Sequence, residues 1–587
     1  MVSDLIYNGE EKLIICLDIG TTYCGASFAH LLPKQAPRNQ VVQKFKGTTA
    51  SKFPSVAWYD KNGTLRAVGA EAQAEHQNWN YVQLFKLHLH PQKQLLTPAS
   101  FEIPPLPNVK LSAIYSDFVC YLIDSTKSYF LETTHNGHSV WETLSPSADL
   151  VIAHPNGWGI REQAFLRDAV LKAHTLSITF ADSHKRVSFC TEAEASLHFV
   201  LKHTESQAWL KPGISFTVCD AGGSTVDIAT YSVKEVAPRL RLEESTAPDC
   251  TLTGSIFVNK AMEELLRAKL VGSRFSSDED IALMMAYFEQ HTKPLFCGHE
   301  RDQVEFISFG GQRDNDQDFG IRRGRLTVDG ELLQEAFKGC IDIIIRSLQS
   351  QVHRSNGHSK CILLVGGFGE SVYLRRKIRE SFERTGIQVI AVDEPAKKAV
   401  AEGLSLFSSK YLVSHRTSSS NFGITIYQPY DETKLSHRTR EHLSYSHPYK
   451  GVQVINGYWS LIASKNRLFA IDEVVKNRYQ QCVGRDSNRL DGFSSTLYCC
   501  DAPSSPEWAH DLNGHISGEF RPVATIHADL SALRSYLTLK QGTEQKWYYE
   551  VNFEIGIKFG SSELEAFLIW QENGVEKRGP ATILPIT

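Results

Sequence analysis

Two short stretches place a carboxylate, then glycine, then hydroxyls in a tight turn between apolar runs. One is Asp18-Ile19-Gly20-Thr21-Thr22, inside "LIICLDIGTTYCGASFA". The other is Asp220-Ala221-Gly222-Gly223-Ser224-Thr225, inside "ISFTVCDAGGSTVDIATYSV". Glycines let a backbone approach a ligand closely. Successive N–H groups in such a turn form an anion-binding nest, and hydroxyls add neutral donors. A carboxylate would repel a phosphate unless a divalent cation lay between them. Asp18 and Asp220 therefore read as partners of Mg²⁺, acting through its water shell. One copy could be an ordinary hairpin, but two copies with the same order of groups point to a clamp for nucleotide phosphates. No G-x-x-x-x-G-K-[ST] occurs, so the P-loop lacks its signature. A third glycine set, Gly366, Gly367 and Gly369 in "CILLVGGFGES", ends a strand and precedes a helix. Such a loop admits a flat ring or sugar against the backbone.

The elements that must hold these turns alternate between strand and helix patterns over the first 410 residues, which is the mark of an α/β fold. "KLIICLD" and "YCGASFA" pair as a hairpin, and "FPSVAWYDKNGTLRAVG" forms a second one around Asn62-Gly63. "AIYSDFVCYLIDSTKSYFLE" has helical spacing. "DLVIAHP" is a strand stopped by Pro155, and "REQAFLRDAVLKAH" a helix. The pattern then restarts at "ISFTVCD". Helices follow at "GSIFVNKAMEELLRAKL", "DEDIALMMAYFEQH" and "DGELLQEAFKGCIDIIIRSLQSQV". This repeat of strand–turn–strand units implies two similar lobes, about 12–210 and 211–410, facing each other across a cleft. Beyond Lys410, "VSHRTSSSN" reads as a polar link. Residues 421–587 lose helical periodicity and show strand-like pieces, so 414–587 reads as a smaller β-rich domain after an ATPase-like domain at 1–413. For "DLSALRSYL" the pattern leaves helix and loop both open.

Composition narrows the function classes. The chain has 587 residues, 42% hydrophobic and 22% charged, as in ordinary globular proteins. A net charge of -4 gives no electrostatic footprint for nucleic acid or anionic membrane, so neither is expected as a partner. The 12 cysteines form no C-x-x-C pair, and they read as buried hydrophobes in a reducing compartment. The first 18 residues do not resemble a secretory signal, which makes cytosol, with nucleus as the alternative, the expected location.

The three motifs, in this order, resemble the actin-like ATPase fold, and more narrowly the seventy-kilodalton heat-shock chaperone superfamily. The likeness is greatest to its divergent branch with a shortened C-terminal region. "FKLHLHP", "TEAEAS", "TGSIFVNKAMEELL" and "YFEQHTK" carry the likeness toward chaperones and away from sugar kinases. The resemblance implies ATP/ADP and Mg²⁺ as cofactors and a slow, Mg-dependent hydrolysis that works as a conformational switch. It implies phosphate contacts from Gly20, Thr21, Thr22, Tyr23, Gly222, Gly223, Ser224, Thr225 and Gly254. Lys86, Glu192 and Asp220 would carry the chemistry, with Glu194 as the alternative alignment to Glu192. Asp18, Asp220 and Asp227 would serve the metal, and Glu289 and Lys293 would bracket the adenosine. Gly366, Gly367 and Gly369 would flank adenine and ribose, and Pro155 would mark the crossover between lobes. Polypeptide clients or co-chaperones would engage the C-terminal domain.

Several residues depart from the family pattern. Ser224 stands where a third glycine is usual, Phe368 where a small residue is usual, and Glu370 where a basic residue would stack near adenine. Gln163 replaces an arginine, and the link is not acidic or leucine-rich. These departures motivate a second reading, a pseudo-ATPase scaffold that holds nucleotide without turnover. A small-molecule kinase would need a carboxylate base near a sugar hydroxyl, and no motif supplies one. A filament-forming relative is disfavoured by the appended β-rich region.

Overall fold

The computed structural model describes residues 6–583 apart from 74–78, 92–100, 205–208, 238, 299–303, 356, 358, 393–395, 410–411, 561–562 and 573. Lys410 and the last residues of "ATILPIT" lie outside the described residues. The chain divides into two units. One holds Met1–Trp158 and Leu166–Leu412, the other Gly159–Phe165 and Val413–Thr587.

The first unit is mixed α/β. Its opening strand, Lys12–Ile19, is buried in seven of its eight residues, and its partner Tyr23–Leu31 in eight of nine. Strands covered on both faces need continuous apolar runs, not alternation, and that is how these read. The first sheet runs in the order Arg38–Val41, Tyr23–Leu31, Lys12–Ile19, Asp149–His154, Val187–Thr191. The second runs Arg241–Glu244, Thr225–Glu235, Ser215–Ala221, Ser359–Val365, Gln388–Ala391. In both, the central strand pairs antiparallel with its hairpin partner and parallel with the next strand. The sequence repeat is thus a repeat of topology. Helices cover the sheets. The apolar face of Ala399–Ser409 packs Val400, Leu404 and Phe407 against Ile14, Cys16 and Ala195. Phe257, Met262, Phe288 and Phe337 anchor the core of the second sheet.

The second unit is built on an antiparallel sheet running from Ser444–Ser446 through Gln453–Ala463 and Asn421–Pro429 to Trp547–Phe559 and Val474–Gly484. Ile424, Leu497, Ile526, Val551, Ile555 and Leu568 fill its core. Two segments differ from the sequence expectation or resolve it. The stretch read as a polar link begins with a strand, Val413–Thr417, paired with Leu468–Ala470. Its residues are mostly half-buried, so they carry no apolar alternation to announce them. The ambiguous "DLSALRSYL" forms a short 3-10 turn at Ser531–Ser535. Among the described residues no helix is long and apolar enough to cross a membrane.

Candidate functional site

Each hairpin delivers its turn at the end of a buried strand, and the fold brings the two turns together. Thr21 Oγ1 lies 2.6 Å from Ser224 Oγ, and both residues are buried. Gly223 packs so closely on Thr22 that any Cβ there would collide with the threonine side chain. Gly254 caps the helix Ser255–Lys269 and donates to the Ser224 carbonyl (2.9 Å), which ties that helix start to the second turn. Among the described residues, the N–H groups of Thr21, Thr22, Gly223 and Ser224 donate to no backbone carbonyl. Adjacent turns with unspent amides are able to receive an anion.

The third glycine set joins them. Gly366 adopts φ +84°, and a Cβ there would collide with Asp220 Oδ1 and the Ala221 carbonyl. The N–H of Phe368 donates to that same carbonyl (2.8 Å). Gly367 has open space around its Cα. Phe368, which stands where a small residue is usual, is accommodated in the core: the ring is 3% exposed and stacks on Phe337, centroids 6.3 Å apart. Glu370 is half-buried, and Arg375 donates to the Gly369 carbonyl (2.7 Å).

Around the turns stand buried charges. Asp18 receives Lys52 Nζ at 2.7 Å, and Glu192 receives Lys86 Nζ at 2.6 Å. Thr191 caps the helix Glu192–His203 and puts Glu192 in its first turn, where the helix dipole favours a carboxylate. Burial opposes the charge on Lys86, but Glu192 and then Asp18 outweigh it and raise its pKa. The Lys86 ammonium also lies 5.4 Å from the Trp158 ring centre, and the buried Trp158 indole N–H has no hydrogen-bond partner among the described residues. Asp220 takes a hydrogen bond from Ser196 (2.5 Å), yet burial pushes it up to about 7. Burial and the nearby Glu192 hold Asp227 well above the carboxylate range, against the N–H of Asn156 at 2.6 Å. The Cys250 Sγ lies 3.9 Å from His90 Nε2. Burial and then Lys86 bring His90 down to about 4.

Glu289 and Lys293 lie where the expected continuous helix breaks. Asp278–Tyr287 gives way to a π-helical turn, Phe288–Thr292, a feature frequent at functional sites. Lys293 is 9% exposed and donates to Asn259 Oδ1 at 2.7 Å, so it is no surface decoration. Glu289 stays exposed, 3.7 Å from it. Burial, and then the Glu289 charge, raise the phenol of half-exposed Tyr23. Lys52, Ser196, Asn156, Trp158 and Cys250 belong to the constellation without having been expected. Each reaches its partner through the tertiary fold, and no local spacing marks them.

The carboxylates do not form a direct chelate. Among the described residues no three His, Cys, Asp or Glu side chains could together hold a metal ion. The donor set fits a hydrated cation contacted through water, because Asp18, Asp220, Asp227 and Glu192 act on common neighbours in one buried region.

No family model matches the chain. It is 21% identical over 584 residues to heat shock 70 kDa protein 12A of Homo sapiens, covering 82% of this chain and 81% of that protein. Heat shock 70 kDa protein 12A of Mus musculus is 20% identical, covering 80% and 79%. Heat shock 70 kDa protein 12B of Homo sapiens is 20% identical, covering 84% and 81%. Over about four fifths of its length, then, the chain resembles the heat shock 70 kDa proteins 12A and 12B and is similar, as a divergent relative, to the seventy-kilodalton heat-shock superfamily.

Proposed function

We propose that this chain is a chaperone-like nucleotide switch that binds ATP and ADP between its two glycine turns and hydrolyses ATP slowly. The observation that carries this reading is the meeting of the two turns at the Thr21–Ser224 hydroxyl pair, with four backbone amides unspent beside it. In this reading the two repeated sheets are lobes flanking a nucleotide cleft. The amides of Thr21, Thr22, Gly223 and Ser224 hold phosphate oxygens, and Gly366 and Gly367 leave room for ribose and base. Glu289 and Lys293 bracket the adenosine from the π turn. Mg²⁺, contacted through water by Asp18, Asp220 and Asp227, would neutralise phosphate charge when bound. Lys86 is held by Glu192 and donates toward the terminal phosphate, while Glu192 orients the attacking water. Oriented donors without a strong base give slow turnover, which suits a timer better than a metabolic enzyme. The β-rich unit would take polypeptide clients or co-chaperones.

Calorimetry with ADP and ATP, followed by single-turnover hydrolysis, tests the reading. Wild type should bind both nucleotides. Gly223→Val, which drives a side chain into Thr22, should lose binding by at least about 30-fold, equivalent to ~2 kcal/mol. Lys86→Ala should bind nucleotide but turn over more slowly. Binding without any turnover in wild type would move the assignment to a scaffold, and no binding at millimolar nucleotide would sink it.

A further inference from the structure

The two hairpins share one antiparallel register, and one rung of that ladder sets them apart in charge. In the second, Asp220 faces Asp227 across the ladder; in the first, Asp18 faces Gly25. A Cβ on Gly25 would meet Lys52 Cγ at 3.3 Å and Ala401 Cβ at 3.4 Å. The aliphatic stem of Lys52 therefore lies over the bare Gly25 backbone, beside the place that a carboxylate takes in the other repeat. From there its ammonium reaches Asp18 Oδ2 at 2.7 Å, with the lysine side chain 18% exposed and the aspartate 3%. The other carboxylates have their own protein partners: Glu192 has Lys86, Asp220 has Ser196, and Asp227 has the Asn156 N–H. The missing direct chelate is thus matched by a cation that the chain itself supplies.

We infer that Lys52 is a resident counter-cation at Asp18, so that nucleoside diphosphate binding depends little on a divalent ion. This deepens the nucleotide reading and rests on it. A buried ammonium held by a carboxylate is costly to strip of its partner. A divalent ion arriving at Asp18 must displace that ammonium or sit beside a like charge at low effective dielectric. An ammonium has three donors, and Asp18 takes one, so Lys52 can also donate to a phosphate oxygen. Gly25 is what makes the position available, because any side chain there would press on the lysine stem.

ADP binding by calorimetry, in EDTA and in excess Mg²⁺, and Mn²⁺ binding to the nucleotide-free protein by electron paramagnetic resonance decide the matter. They are run on wild type, Lys52→Met and Lys52→Arg. Wild-type ADP affinity should change by less than about threefold between the two buffers, whereas Lys52→Met should lose at least about tenfold in EDTA and recover it with Mg²⁺. Lys52→Met should bind Mn²⁺ at least about tenfold more tightly than wild type, because Asp18 is then unpaired. Lys52→Arg keeps the charge and should behave as wild type, which separates loss of the cation from loss of the fold. A wild type that needs Mg²⁺ as strongly as Lys52→Met would overturn the inference, as would equal Mn²⁺ affinity in those two proteins. If wild type binds no ADP in either buffer, the nucleotide reading fails, and the claim of divalent independence falls with it. The Mn²⁺ comparison separately decides whether Lys52 holds the cation's place.

Discussion

The hairpin around Asp18 and the hairpin around Asp220 share strand order, pairing and turn chemistry, yet they treat the same carboxylate in opposite ways. Asp18 is matched by a full positive charge at 2.7 Å, while Asp220 is matched by the neutral hydroxyl of Ser196. Across the ladder from them stand Gly25 and Asp227. One repeat is thus neutralised from within by a lysine, and the other gathers carboxyl groups whose burial opposes their ionisation, with Asp220 raised to about 7. A duplicated backbone fixes where a side chain starts; the surrounding elements fix what meets it.

The largest expected effect breaks that contrast directly. Asp18→Asn strands a buried lysine and should cost about 4 kcal/mol in urea unfolding, whereas Asp220→Asn should stay within about 1 kcal/mol because it removes a buried charge. Equal losses in the two variants would erase the distinction between the repeats. Next, Gly366→Ala should cost about 3 kcal/mol, since φ +84° and the approach to Asp220 both penalise a Cβ. Gly367→Ala, with open space around it, should cost less than about 1 kcal/mol, and melting curves of the pair check this.

Glu402 sharpens the comparison as another partnered carboxylate, with Lys202 Nζ at 2.8 Å and the ring nitrogen His203 Nε2 at 2.7 Å. Burial opposes its charge, but these partners prevail and hold its pKa below the usual glutamate value. Its stabilisation is therefore present above the unfolded glutamate pKa and is lost as pH falls through the folded value. Glu402→Gln should cost about 2 kcal/mol at pH 7, with the deficit shrinking below about pH 4 in denaturant titrations. Smallest, a double-mutant cycle with Thr21→Val and Ser224→Ala should give a coupling of about 1 kcal/mol, the worth of one hydroxyl pair between the repeats. A coupling near zero would mean that the turns meet without holding each other.

Much of the α/β region was legible because its signals are local. Buried strands read as apolar runs at Lys12–Ile19 and Ser215–Ala221, and glycine turns end them. The duplicated order of Asp, Gly and hydroxyl found both turns, and the structure brings them within hydrogen-bonding distance. What stayed hidden depends on where long side chains travel. Lys52 looks like any lysine in "ASKFPS", and only the fold shows that it crosses Gly25 to Asp18. Phe368 stands in the sequence where a small residue is usual, and only the fold shows that the turn at Gly366 directs its ring into the core. The strand Val413–Thr417 was missed because half-buried polar residues leave no period to read. The π turn at Phe288–Thr292 was missed because a single inserted residue hardly disturbs an amphipathic pattern.

The Thr21–Ser224 contact joins residues 203 positions apart. Contacts of such separation cannot assist the early, local steps of folding, because the loop must close before they form. Each sheet can organise around its own hairpin first, and the site exists only after both have formed and met. A ligand that needs both turns therefore arrives at a finished molecule. It should slow unfolding and leave the folding rate almost untouched. Nucleotide would then act as a latch on the native state, lengthening its lifetime without hastening its birth.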